Sequence, residues 1–267
     1  MNSVRAIVLV MLAAMASASQ AQETVRLYAA GSLRAVMTEM ATAFTKGSGV
    51  GVTGEYGASG LLYERIVKGE RADVFASANM EHPGALAQGG RGAPVVMFAR
   101  NRLCALVGPG QGVSSGSLLD RLLDASVKLG ISTPKADPAG DYAVQLFEKA
   151  DKLRPGAFAA LMAKALKLTG GADSPPPPAN RSAYGVLVAG RKADVFLTYC
   201  TNAEQARREE PSLEVVSVPE NLAVGANYGM TTIDGAGPHA ARFALFVMSG
   251  TGQAILARHG FSAVAVP

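Results

Sequence analysis

Val25 to Ser32 reads Val-Arg-Leu-Tyr-Ala-Ala-Gly-Ser, and this short run constrains the fold more than any other part of the chain. Val25, Leu27 and Tyr28 have the apolar character of a buried strand. Beyond Gly31-Ser32, Leu33, Val36, Met37, Met40, Ala41 and Phe44 recur at helical spacing, so the period changes from strand to helix at the Gly-Ser turn. Such a turn places unpaired first-turn amides, the positive end of a helix dipole and the Ser32 hydroxyl together, a set of donors suited to an oxyanion without any cationic side chain. The commoner use of such a serine is to cap its own helix.

The design recurs. Tyr56-Gly57-Ala58-Ser59-Gly60 leads from a strand over Val50 to Tyr56 into a helix from Gly60 to Lys68, whose apolar face includes Leu62, Ile66 and Val67. Two helix starts with serines can meet at the carboxyl ends of neighbouring parallel strands, where open α/β sheets bind ligands. Gly57-Ala58-Ser59-Gly60 also has the look of a hydrolase nucleophile elbow, but Leu61 occupies the place of the final glycine. A third helix start lies at Asp137-Pro138-Ala139-Gly140. Pro138 suits a first turn, the Ala139 and Gly140 amides would point outward, and Asp137 is equally well placed as an ordinary cap.

Strand and helix signals alternate along the whole chain, which specifies α/β architecture. Further strands are expected at Ala72 to Ala76, Val95 to Phe98, Leu103 to Val107, Lys128 to Ser132, Val195 to Tyr199, Val215 to Val218 and Gly229 to Ile233. Helices are expected near Pro83 to Gln88, Leu118 to Leu123, Gly140 to Ala150, Ala240 to Met248 and Gly252 to His259. Arg100-Asn101-Arg102 interrupts two apolar strands and marks a crossing between lobes, and Val215 to Val218 with Gly229 to Ile233 would bring the chain back. The expected fold has two mostly parallel sheets, flanked by helices and joined by a two-strand hinge. Lobe 1 would take residues 22–100 and 219–267, and lobe 2 residues 101–218.

Ahead of these elements, Arg5 precedes an apolar run from Ala6 to Met15, and Ser19-Gln20-Ala21 offers small residues for cleavage, so residues 1–21 read as an export signal. No later stretch approaches the roughly 20 apolar residues of a membrane-spanning helix. The formal charge of +4 falls to +3 without Arg5, and no run of Lys or Arg occurs, which argues against nucleic acid as a partner. The absence of tryptophan argues against a sugar-stacking platform. His82, His239 and His259 have no metal-ligand spacing with each other or with the two cysteines. Cys104 and Cys200 suit either one disulfide or two buried thiols.

Taken together, Tyr28 to Leu33, Gly57 to Gly60, Ala72 to Ala78, Asp137 to Gly140, Tyr199 and Gly260-Phe261 make nearly the whole mature chain resemble the periplasmic molybdate-binding proteins of ABC importers. The resemblance implies a two-lobed periplasmic binding protein of type II, without enzymatic activity or cofactor. It would hold molybdate or tungstate through oxygens, with no direct bond to the metal. Matched residue by residue, the ligand set is Ser32, Ser59, the Ala139 amide and the Tyr199 hydroxyl. A membrane permease would be the partner, the protein a monomer, and ligand-driven closure would turn on a hinge near Asn101 and Val218.

The chain departs from the family pattern at Ser174 to Ser182, where a proline run replaces an acidic capped turn and puts Arg181 near an expected amide contact. Arg181 could pair with two oxyanion oxygens or stand solvated beside the proline run. Asn79 replaces a commoner aspartate, and Cys200-Thr201 differs from the residues usual after the tyrosine. These departures leave open a different small anion or organic acid as the ligand, and a secreted serine hydrolase is a weaker alternative. Terminal sequencing of exported protein is expected to show a mature chain that begins at about Gln22.

Overall fold

The computed structural model describes residues 24–176 and 181–264. The expected export signal and Pro177 to Asn180 of the proline run lie outside the described residues. The chain begins with β1 (Thr24–Ala30), α1 (Arg34–Ser48), β2 (Gly51–Gly57), α2 (Ser59–Val67), β3 (Val74–Ser77) and α3 (Glu81–Gln88). It continues through β4 (Val96–Val107), α4 (Leu118–Leu123), β5 (Leu129–Ser132), α5 (Pro138–Leu153), α6 (Ala157–Lys164) and β6 (Leu166–Thr169). Then follow α7 (Ala183–Ala189), β7 (Val195–Tyr199), α8 (Cys200–Glu209), β8 (Glu214–Ser217), β9 (Gly225–Thr232), α9 (Pro238–Met248) and α10 (Gly250–Arg258).

The strands lie in the order β2-β1-β3-β9-β4-β7-β5-β6, with β8 also paired to β4. Strands distant from the centre pair in parallel: β1 with β2 and β3, and β5 with β6 and β7. Every pairing of β4 and β9 is antiparallel, so the sheet is mixed, with its antiparallel part at the junction of the two lobes.

The two strands expected on either side of Arg100-Asn101-Arg102 form one continuous strand. Arg100 and Arg102 are exposed while Asn101 between them is buried, the alternation of a pleated strand. Asn101 is satisfied there, with Nδ2 donating to Thr201 Oγ1 at 2.9 Å and Oδ1 accepting from Arg102 N at 2.9 Å. The first part of β4, up to Arg102, pairs with β9, and Leu103 to Val107 pair with β7 and β8. Of the two segments expected to bring the chain back, the one at Val215 to Val218 is corrected here: β8 pairs with Cys104 to Val107, whereas β9 pairs with β3 and the first part of β4, so the chain crosses back between β8 and β9.

Each lobe packs amphipathic helices on its strands. α1 buries Val36, Met37, Met40 and Phe44, and Phe44 meets Phe243 of α9 edge-on, with ring centroids 5.3 Å apart. In the other lobe α5 buries Ala143, Leu146, Phe147 and Ala150 at helical spacing. Elements α6, β6, α7 and α8 go beyond those expected from sequence. β6 has no fully buried residue, and α8 buries only Asn202, Ala203 and Ala206, so neither offers the large apolar side chains that signal an element in sequence.

The antiparallel register of β4 and β7 sets Leu103 opposite Tyr199 and Cys104 opposite Thr198. Cys200, which follows Tyr199 and opens α8, lies 4.8 Å from Cys104 between Cα atoms, and the two are joined in a disulfide across a sequence separation of 96. A closed loop of that size restricts the unfolded chain strongly. Replacing both cysteines by serine is expected to lower stability by about 2–5 kcal/mol, measured as a shift in the urea midpoint.

Candidate functional site

Because β1 and β2 run parallel with Ala30 opposite Gly57, their Gly-Ser turns emerge side by side at the carboxyl ends of the strands. Ser32 lies in a short 3-10 turn, Gly31–Leu33, that precedes α1, and it makes no cap bond to its own helix. Its hydroxyl instead lies 3.0 Å from Tyr228 Oη. Ser59 is the first residue of α2 and is only 1% exposed. Its Oγ accepts from Ala78 N at 3.1 Å, which leaves the hydroxyl proton free to donate elsewhere.

Tyr199 comes from the end of β7 in the other lobe and is 2% exposed. Its Oη is buried and has no hydrogen-bond partner among the described residues. The Tyr228 ring lies beside it, centroid to centroid 5.6 Å. Burial raises the pKa of both phenols well above the ordinary tyrosine value, so each keeps its O–H as a donor. Ser32, Ser59 and Tyr199 line one cavity of about 340 Å³ between the lobes, together with Arg181. Arg34, Asp137, Thr169, Asn202 and Gln205, which sequence reasoning did not place in the site, also line it. Tyr228 was missed as well, since nothing local to β9 signals that its phenol reaches Ser32.

Two expected ligand contacts turn out differently. The Ala139 amide, expected to face the ligand, donates to Asp137 Oδ1 at 3.1 Å, and Ala139 is fully buried outside the cavity lining. The capping role of Asp137 has claimed that amide. Gly140 likewise serves packing rather than ligand approach, because a Cβ there would lie 2.5 Å from Ser132 O. Arg181 does reach the cavity, but its half-exposed guanidinium pairs with Glu210. Arg34 is engaged too, with its guanidinium carbon 4.7 Å from the Tyr56 ring centroid.

Asn79 is absorbed in a local turn, where Oδ1 accepts from Ser77 Oγ at 2.8 Å and His82 N at 3.2 Å. Ser59 has no histidine bonded to it among the described residues, and Cys200 is joined to Cys104 in a disulfide. No group of three or more His, Cys, Asp or Glu among the described residues is placed to hold a metal ion.

The two walls touch directly. Gly60 N donates to Ala136 O at 2.9 Å, and Tyr142 Oη donates to Ala78 O at 3.2 Å, both from one lobe to the other. Gly60 permits this approach, since a Cβ at that position would stand 2.5 Å from Lys135 O and 2.7 Å from Ala136 O. Both clashing atoms belong to backbone, which has little room to yield.

Comparison with known proteins agrees with this architecture. Residues 25–262 match the bacterial extracellular solute-binding protein family, and the chain belongs to it. It is 37% identical over 204 residues to an uncharacterized protein of Pasteurella multocida (strain Pm70), covering 76% of this chain and 84% of that one. The periplasmic molybdate-binding protein of Azotobacter vinelandii superposes with a TM-score of 0.72 at 20% identity, over 91% of this chain and 99% of that one. The sulfate-binding protein SubI of Mycobacterium tuberculosis H37Rv gives 0.75 at 18%, over 91% and 87%. PEB3 bound to L-phospholactate gives 0.68 at 14%, over 89% and 99%. At these identities the structural likeness establishes the two-lobed α/β binding-protein fold.

Replacing Gly60 by alanine is expected to hold the lobes apart and weaken ligand affinity by about tenfold or more, the scale of an overpacked contact. Small-angle scattering of the variant should show a larger radius of gyration than the parent protein in saturating ligand.

Proposed function

We propose that this solute-binding protein captures a small tetrahedral oxyanion between its lobes and delivers it to the membrane permease of an ABC importer, with molybdate and tungstate as the first candidates. The observation that carries this reading is the buried Tyr199 hydroxyl, unpartnered among the described residues, which shares a cavity with Ser32 and Ser59. A buried donor without a partner is costly, and a bound oxyanion would satisfy it. The first turn of α2 adds a favourable dipole at the same place. The ligands named for the three structural neighbours, molybdate, sulfate and phospholactate, each carry a tetrahedral oxyanion, which supports the class more than the element.

In this reading lobe 1 spans 22–100 and 219–267, lobe 2 spans 101–218, and closure turns on a hinge near Asn101 and Val218. A ligand that touches both walls stabilises the closed form by its differential affinity, and the permease reads that form. The protein acts as an exported, periplasmic monomer without a cofactor. Preference for molybdate or tungstate over sulfate would come from the larger tetrahedron filling the space between the serines and Tyr199. A second reading, another small anion or organic acid, is favoured by the cavity itself: about 340 Å³ is within the range of pockets for small organic ligands, and Arg34 and Arg181 stand at its wall.

Calorimetric titration with molybdate, tungstate and sulfate tests both readings. Stoichiometric binding of the first two and weak binding of sulfate are expected, and absence of heat with all three would direct attention to organic anions. Tyr199→Phe should cost about 1.5–3 kcal/mol of affinity, the value of a hydrogen bond to a charged group. Its thermal midpoint should not fall, because the hydroxyl removed has no protein partner among the described residues. Ser59→Ala should lose affinity similarly and also some stability, since Ala78 N loses its acceptor.

A further inference from the structure

Asp137 is the one acidic residue among the described residues that line the cavity. It is the N-cap of α5, and Oδ1 accepts from Ala139 N at 3.1 Å. Asp137 is among the residues that line the same cavity as Ser32, Ser59 and Tyr199. Oδ2 lies against Gly170, where a Cβ would approach it to 2.6 Å. Among the described residues Asp137 forms no salt bridge. The two guanidiniums of the cavity wall are engaged elsewhere, Arg34 over the Tyr56 ring and Arg181 with Glu210. Arg181 is neutralised by Glu210 and Arg34, though still charged, is held over the Tyr56 ring, so an ionised Asp137 would add a negative charge beside a bound dianion, and the two would repel in a water-poor cavity.

A single proton removes the conflict. Resting on the oxyanion reading above, we infer that Asp137 and the bound oxyanion share one proton in a hydrogen bond, so that the site recognises an oxyanion together with that proton. A ligand that keeps an acidic hydrogen, such as hydrogen phosphate, supplies it from its own O–H to the carboxylate. A fully deprotonated ligand such as sulfate or molybdate supplies none, and the proton must reside on Asp137. In neither case does a covalent bond to the central atom form or break. Asp137 is thus a specificity-determining residue that ranks tetrahedral anions by protonation as well as by size.

The surroundings favour a carboxyl that can hold a proton. Asp141, one turn further along α5, adds negative charge, and the phenols of Tyr184 on α7 and Tyr199 on β7 stay neutral beside it. Burial raises the pKa of Asp137, against the lowering effect of the Ala139 amide and the Ser132 hydroxyl. Of the cations that line the cavity, Arg181 is paired with Glu210, and Arg34 stacks on the Tyr56 ring.

The test is calorimetry of the full mature protein with sulfate, molybdate and phosphate between pH 6 and 9, in buffers of differing ionisation enthalpy. For sulfate and molybdate, affinity should fall about tenfold per pH unit above the pKa of the free Asp137 carboxyl, with uptake of up to one proton. Asp137→Asn keeps the helix cap, since asparagine caps as well as aspartate. This variant should bind sulfate and molybdate with no proton uptake and a flat pH profile, and should bind hydrogen phosphate more weakly than the parent. If phosphate alone binds, without proton uptake, and the variant weakens it, the shared proton stands and the ligand of the oxyanion reading changes to phosphate. Binding of sulfate or molybdate that is flat across the whole range in the parent, with the variant unchanged, would overturn the shared proton and leave the oxyanion reading intact. Absence of binding by all three anions would overturn both.

Discussion

One strand belongs to both lobes. β4 runs for 12 residues without interruption, pairs with β9 in its first part, and pairs with β7 and β8 in its last. Its backbone hydrogen bonds tie the lobes into one mixed sheet, in which Asn101, Arg102 and Leu103 pass from one set of partners to the other. The buried Asn101 is satisfied by Thr201 and by its neighbour's amide, which lets a polar residue occupy the junction at little cost. The segment between β8 and β9 makes the second crossing.

Everything at the site follows from donors brought to that cavity and withdrawn from water. Tyr228 anchors Ser32, the Ala78 amide anchors Ser59, and the disulfide at Cys200 fixes the chain directly after Tyr199. Burial keeps the phenols protonated, so they remain donors across the physiological range. Each hydroxyl is held by one partner or by packing while its remaining hydrogen-bonding capacity faces the cavity. This is preorganisation: the ordering cost is met in folding, and less remains to be met on binding.

Asp137 shows how one residue can reassign a familiar arrangement. A helix start with Pro138, Ala139 and Gly140 offers outward amides in principle, yet a capping carboxylate takes the Ala139 amide for itself. The cavity gains an acceptor where a donor was expected. Arg181 is drawn aside in a similar way, since Glu210 at the end of α8 competes for its guanidinium.

The amino-acid sequence by itself determined the strand, Gly-Ser turn and helix at Ser32 and Ser59, the α/β alternation and the amphipathic helices α1, α5 and α9. These depend on neighbours a few residues apart, and a change of period from two to 3.6 is written directly in the order of apolar residues. The continuity of β4 was also present there, as exposed Arg100 and Arg102 around buried Asn101, although the charges read more readily as a break. Only the tertiary structure decided that Cys104 meets Cys200, that Tyr228 holds Ser32, that Tyr199 has no partner among the described residues and that Asp137 takes the Ala139 amide. Those outcomes depend on which groups, far apart in the chain, packing brings within hydrogen-bonding distance. A hydroxyl or amide can serve many partners equally well, and geometry alone selects one.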